Sequence, residues 1–132
     1  MMIMQIEHLA LWVHDLELMK AFYLTYFDAT AGEKYTNPTT QLVAYFIYFG
    51  EGKTRLELMT RPDIQAGADK RGFDMGLAHF AISVGGKERV NALTERLRKD
   101  NYTIFREPRT TGDGYYESVI LDPEGNYIEI SA

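Results

Sequence analysis

The sequence has no cysteine. That excludes disulfides, thiolate metal sites and a cysteine nucleophile, and it fits a reducing compartment. It also lacks any run approaching the roughly 18 apolar residues of a membrane span. The apolar start, Met1 to Glu7, has no basic segment and no small-residue cleavage site. It reads as a first strand rather than a signal peptide, so a cytoplasmic protein with no membrane partner is expected. Positive charge is short: Lys and Arg total 14 against 19 Asp and Glu, a formal charge of −5. Without a basic run there is no footprint for nucleic acid. What is present is an ordinary globular mixture, 45% apolar and 25% charged, which argues against disorder. A chain of 132 residues is about one domain on the prior of roughly 100–200 residues each, and is long enough to bury a core.

The pattern alternates between strand and helix signals. Ile3 to Val13 is rich in β-formers. Asp15 follows as a candidate N-cap, and Leu16, Met19, Phe22, Tyr23, Tyr26 and Phe27 give a helical stripe that ends near Asp28 to Gly32. A weak strand is expected over Glu33 to Thr36, ahead of the Asn37-Pro38 turn signal. Gln41 to Phe49 and Thr54 to Thr60 read as a hairpin around Gly50 to Lys53. Arg61 to Gly76 is polar and glycine-rich, and after it the order restarts. Leu77 to Val84 is a strand, Gly85-Gly86 a turn, and Val90, Leu93 and Leu97 a helix stripe. Thr103 to Arg106, Tyr115 to Leu121 and Tyr127 to Ser131 are the closing strands, the last two joined by the strong turn Asp122-Pro123-Glu124-Gly125-Asn126.

The chain therefore reads βαβββ twice, an α+β class. The expected organisation is a single domain, 1–132, with modules 1–61 and 76–132 joined by a linker, 62–75. The halves match residue by residue. Glu7-His8-Leu9-Ala10-Leu11-Trp12-Val13 aligns with Ala78-His79-Phe80-Ala81-Ile82-Ser83-Val84, and Arg55-Leu56-Glu57-Leu58 with Tyr127-Ile128-Glu129-Ile130. An internal repeat of this regularity points to a duplicated architecture.

Side chains alternate faces along a strand. Leu9, Leu11 and Val13 share one face, and His8 lies opposite with Ile6, Ala10 and Trp12. Leu56 and Leu58 oppose Glu57, which shares its face with Arg55 and Met59. Phe80, Ile82 and Val84 oppose His79, and Ile128 and Ile130 oppose Glu129. Each opening or closing strand thus offers an apolar face and one mid-strand His or Glu on the other. A lone strand histidine is commonly structural, and a lone strand glutamate commonly solvated. Four at duplicated positions instead suit a shared metal site, because a glutamate in mid-sheet is costly unless paired or coordinated. Imidazole and carboxylate together suit Zn²⁺, Ni²⁺ or Co²⁺, with Mn²⁺ and Fe²⁺ as the other candidates. Trp12, on the His8 face, is either core packing or a stacking platform. Arg61 is either a surface residue or an anion contact.

At these positions the sequence resembles the vicinal-oxygen-chelate superfamily, which holds glyoxalase I, bleomycin-resistance proteins, fosfomycin-resistance enzymes and extradiol dioxygenases. The resemblance covers the whole chain. It rests on Ile6-Glu7-His8-Leu9-Ala10-Leu11 with Asp15-Leu16-Glu17 and Phe22-Tyr23, on Glu57, and on Leu77-Ala78-His79-Phe80-Ala81-Ile82. The ending Asp122-Pro123-Glu124-Gly125-Asn126-Tyr127-Ile128-Glu129 is its most specific piece. The resemblance implies two βαβββ modules whose mixed sheets curl into a cup around one divalent metal, with His8, Glu57, His79 and Glu129 as ligands. It implies a homodimer with shared sites, in which His8 and Glu57 of one chain meet His79 and Glu129 of the other, and a small-molecule substrate.

The four-ligand set is most similar to that of glyoxalase I, a lyase acting on a thiol–aldehyde hemithioacetal. There the metal acts as a Lewis acid on an enediolate and a glutamate moves a proton between adjacent carbons. By that analogy Glu129 is the base, with Glu57 as the fallback. Trp12, Met59 and Arg61 are the expected substrate-pocket residues. Trp12 stands where glyoxalase I has an arginine for a glutathione carboxylate. Near Glu57, where glyoxalase I has an asparagine, Thr60 and Arg61 are found, so another thiol adduct or a different vicinal-oxygen substrate stands beside glutathione. Other readings are a ring-cleaving dioxygenase, a thiol transferase, or a non-catalytic binding or resistance protein.

Overall fold

The structure, a computed structural model, describes residues 4–67 and 70–132. The chain divides into two compact units, Met1–Ala66 and Gly67–Ala132. In the first, β1 (His8–Trp12) and α1 (Leu16–Phe27) precede β2 (Thr30–Ala31), β3 (Tyr35–Thr36), β4 (Val43–Tyr48) and β5 (Arg55–Thr60). The sheet runs β1-β5-β4-β2, with β3 also on β4. β1 pairs β5 in parallel, and the other pairings are antiparallel. In the second, β6 (Phe80–Ser83) and α2 (Lys87–Lys99) precede β7 (Ile104–Thr110), β8 (Tyr116–Leu121) and β9 (Tyr127–Ser131). That sheet runs β6-β9-β8-β7, again with its first and last strands parallel. Both units are α+β, as the doubled βαβββ order requires. Among the described residues no helix is long and apolar enough to cross a membrane.

The opening strands are shorter than their composition predicts. Ile3, the expected start of the first, lies outside the described residues, as do residues 68 and 69 of the expected linker. β1 begins at His8 because its partner β5 begins at Arg55, opposite it. Beyond that point Arg55 N–H to the Glu7 carbonyl (2.9 Å) and Thr54 Oγ1 to the Ile6 carbonyl (2.7 Å) continue the contact. β6 likewise starts at Phe80, opposite Ile128, one residue into β9. His8 is therefore the first residue of β1 and His79 lies just before β6, neither in mid-strand, whereas Glu57 and Glu129 do sit mid-strand.

The expected weak strand over Glu33 to Thr36 is found as the shorter β3, and an unexpected short strand, β2, precedes it where the helix was expected to end. Asn37 turns the chain after β3, its Oδ1 accepting from Thr39 N–H (2.9 Å) and Thr40 N–H (3.2 Å), an Asx-type turn. β7 runs on to Thr110, beyond the expected Arg106. It is an edge strand with register shifts either side of Arg106, which is how it accommodates Pro108.

Each helix is placed by its apolar stripe. α1 buries Leu16, Met19, Phe22 and Tyr23, and Asp15 caps it through Oδ1 to Leu18 N–H at 3.0 Å, as the sequence predicts. It covers the β4–β5 face that carries Tyr45, Ile47, Leu56 and Leu58, all buried. α2 buries Val90, Thr94 and Leu97 against Ser118, Ile120, Ile128 and Ile130. Thr94, not the expected Leu93, is the middle contact. Its hydroxyl donates to the Val90 carbonyl (2.6 Å) and accepts from Ser118 Oγ (2.8 Å), and both residues are fully buried. Thr94→Val leaves the Ser118 hydroxyl buried and unpaired, and a cost of about 1–3 kcal/mol is expected. Denaturant titration checks it, and adding Ser118→Ala is expected to recover most of the loss.

The turn before β9 is fixed by its own side chain. Asp122 Oδ1 accepts from Glu124 N–H and Asn126 N–H, both at 3.0 Å, and Oδ2 accepts from Asn126 Nδ2 at 2.8 Å. Gly125 has φ +85°, a conformation glycine adopts without steric cost. The turn sets where β9 starts and so where Glu129 emerges.

Candidate metal centre

In the first unit the register places Glu57 between Ala10 on β1 and Phe46 on β4, on the face away from α1. Its Oε1 lies 3.7 Å from Nε2 of His8. The other ring nitrogen of His8, Nδ1, bonds Oε2 of Glu7, and Glu7 in turn pairs with Arg55. The hydrogen bond from His8 holds the Glu7 carboxyl below the usual carboxylate range, and Arg55 adds to the effect. Phe46 meets the imidazole edge-on, with centroids 5.4 Å apart and planes at 86°, and the Arg55 guanidinium lies 3.8 Å over the Phe46 ring. His8 is thus held on two sides. With Nδ1 engaged by Glu7, Nε2 is the ring nitrogen turned toward the Glu57 carboxylate. A carboxylate on the far nitrogen is the usual support of a metal-binding histidine.

In the second unit His79 Nε2 lies 3.1 Å from Glu129 Oε2. Glu129 stands opposite Val119 on β8 and Ala81 on β6. A cavity of about 340 Å³ lies on this face, and His79, Glu129, Arg106, Arg109 and Glu117 are among its lining residues. Burial pushes the Glu117 carboxyl up, reinforced by a hydrogen bond and charge repulsion from Glu129 and by the charge of Asp113. Arg106 and Arg109 form no ion pair among the described residues.

Both units thus present one imidazole nitrogen to one half-buried carboxylate. Neither Glu57 nor Glu129 has a lysine or arginine partner among the described residues. Each half-buried carboxylate has an imidazole as its neighbour, and imidazole plus carboxylate is a donor set that a divalent ion accepts. The residues present fit such an ion as two half-sets, one in each unit. Among the described residues no group of three or more His, Asp or Glu side chains stands ready to hold a metal.

Trp12 and Met59 face each other in the β1–β5 register. Trp12 is 42% exposed, so it is not core packing, and the Arg61 guanidinium lies 5.8 Å from its ring. Arg61 is chelated by Asp63 through two 2.6 Å bonds, so any substrate anion there competes with Asp63.

Sequence reasoning missed Glu7, Phe46, Arg55 and Glu117. Glu7 adjoins His8 in the repeat, yet its role depends on which way an exposed side chain turns. Glu117 was accessible from alternation, since it and Val119 occupy the face of β8 opposite the buried Ser118 and Ile120.

Over residues 5–130 the sequence matches the Glyoxalase/Bleomycin resistance protein/Dioxygenase superfamily, and the chain belongs to that superfamily. The trypanothione-dependent glyoxalase I of Leishmania major is similar in structure, with a TM-score of 0.77 at 24% identity, over 97% of this chain and 86% of that one. Glyoxalase I of Zea mays gives 0.76 at 24% identity over 96% of this chain, which spans only 44% of the maize chain. A glyoxylase/bleomycin resistance protein/dioxygenase domain from Frankia sp. EAN1pec gives 0.81 at 18% identity, over 98% of each chain. At these identities the likeness concerns the fold. No curated protein matches the sequence.

Proposed function

We propose that the protein is a metal-dependent, glyoxalase-I-like lyase that isomerises a thiol–aldehyde hemithioacetal. The observation that carries the reading is the repeated pair: His8 with Glu57 at 3.7 Å and His79 with Glu129 at 3.1 Å, each carboxylate half-buried and, among the described residues, unpaired by lysine or arginine. Together the four side chains hold one divalent ion, nickel, zinc or cobalt before manganese or iron, in a single domain working as a homodimer with shared sites. The ion supplies Lewis-acid stabilisation of negative charge developing on two vicinal oxygens.

The chain's own residues do the rest. Glu129 accepts the proton from the carbon that bears sulfur and returns it to the adjacent carbonyl carbon, while the hydroxyl proton passes from the first carbon's oxygen to the second's. The hemithioacetal becomes a 2-hydroxy thioester with no change in composition or oxidation state overall. Glu7 keeps His8 in one tautomer. Trp12 and Met59 form an apolar wall, and Arg61 a polar edge, on the first unit's open face. Trp12, at the place of the glyoxalase arginine, cannot pair a carboxylate, which supports testing thiols beside glutathione.

The test is direct. Metal-stripped protein, reloaded in turn with each of the five metals, is assayed with methylglyoxal adducts of several small thiols. Turnover with a subset of metals is expected. Metal-loaded protein that turns over none of the adducts overturns the reading.

A further inference from the structure

The cavity of the second unit has a wall that proton transfer does not require. Phe73, Phe105 and Tyr127 all line it together with His79 and Glu129. Their rings pack on one another edge to face. Phe105 and Tyr127 have centroids 4.8 Å apart at 84°, Phe73 and Tyr127 5.3 Å at 82°, and Phe73 and Phe105 6.0 Å at 61°. A cluster serving only the core would be buried, as Ile128 and Tyr23 are. Here Phe73 is 65% exposed and Phe105 41%, so apolar ring surface faces solvent beside a polar pair.

Phe105 and Tyr127 come from β7 and β9. Phe73 comes from no strand or helix, and two anchors bring it in. The Arg71 guanidinium donates to the Glu124 carbonyl (2.9 Å) and to Asn126 Oδ1 (3.2 Å), which fastens the segment to the turn before β9. Next to it, Gly72 has φ +83°, and a Cβ there would come within 2.7 Å of the Tyr127 ring and 2.9 Å of the Ala78 carbonyl. Only glycine permits that approach in that conformation. Phe73 is therefore delivered to the cavity by a dedicated local fit. Small-molecule sites have this make-up: a few hundred cubic ångströms, mainly aromatic or apolar, with a small set of convergent polar groups.

We propose that Phe73, Phe105 and Tyr127 form a subsite for an aryl group, so that the preferred substrate carries an aromatic ring next to its two oxygen-bearing carbons. Phe73 is the residue that sets this preference. The ring of the ligand adds a further edge-to-face or offset partner to the cluster and covers the exposed faces of Phe73 and Phe105. This rests on the reading of His79 and Glu129 as part of the reacting centre.

The experiment compares two small probes that share a carboxylate and a vicinal carbonyl, benzoylformate and pyruvate, by calorimetry on the full chain with and without added Ni²⁺. Benzoylformate is expected to bind roughly tenfold more tightly, the scale of one well-placed aromatic contact plus its buried area. Phe73→Ala is expected to reduce that ratio to about twofold or less while leaving pyruvate binding unchanged. Phe73→Leu, which keeps bulk without a ring, is expected to fall between. Because Phe73 is largely exposed, neither variant removes core packing. Equal affinities in the unsubstituted protein, failure of benzoylformate to bind, or equal losses for both probes in Phe73→Ala overturns the proposal. The two readings separate in the unsubstituted protein: an aryl preference in metal-loaded protein that turns over no hemithioacetal supports the subsite and removes only the lyase assignment.

Discussion

Replacing Glu129 by glutamine is expected to lower kcat for a hemithioacetal by about 10²–10⁴-fold, the range of a positioned general base. The amide keeps the shape of the side chain and one ligating oxygen but cannot take the proton. Structure favours a clean result. Glu129 lies between Ile128 and Ile130, both fully buried, so the alternation of β9 locks the direction of residue 129 whatever its charge. The same change also relieves the carboxyl repulsion that Glu129 exerts on Glu117, so the folded protein is not expected to lose stability. Steady-state kinetics beside benzoylformate binding checks this prediction. A large fall in kcat with probe affinity nearly unchanged assigns proton transfer to Glu129. Unchanged kcat removes that role and passes it to Glu57.

The second large effect concerns the metal. Stripped protein is expected to bind one divalent ion per site tightly. Glu57→Ala is expected to weaken that binding by well over 100-fold, beyond the roughly 10–100-fold typical of a supporting residue. Glu7→Gln is the supporting case. It takes from His8 Nδ1 its carboxylate acceptor and is expected to stay within about 10–100-fold. The ranking separates ligand from support, which activity alone does not. Affinity is also expected to fall as pH is lowered, because protons compete with the ion for its ligating groups. Titration of apo-protein with Ni²⁺, Co²⁺ and Zn²⁺ measures all three. Absence of binding in the unsubstituted protein would make the His–Glu pairs structural and retire the metal-dependent reading.

The different visibility of these residues in the sequence has a physical basis. Period-two alternation reports which face a strand residue occupies, so Glu57 and Glu129 stood out against Leu56, Leu58, Ile128 and Ile130. The repeat exposed His8 and His79 as their counterparts. Alternation says nothing about where a ladder stops. That depends on the partner strand, and so His8 and His79 were expected in mid-strand although the start of β5 makes His8 the first residue of β1 and β6 begins only after His79. Phe73 carried no signal at all: it lies in a polar, glycine-rich stretch, and its place depends on Arg71 reaching a turn more than fifty residues away and on the space left by Gly72. Glu117 was legible by alternation but had no repeat partner to mark it, since Ala44 occupies the corresponding place on β4.

The sequence by itself determined the doubled βαβββ order, the α+β class, the faces of the strands and the four residue types standing out from them, because these follow from local periodicity and from self-similarity along the chain. Tertiary structure alone decided which imidazole meets which carboxylate within each unit. The parallel pairings of β1 with β5 and of β6 with β9 bring together residues some fifty positions apart. Hydrogen-bond register across a sheet, unlike alternation along a strand, is set by where each partner begins and ends.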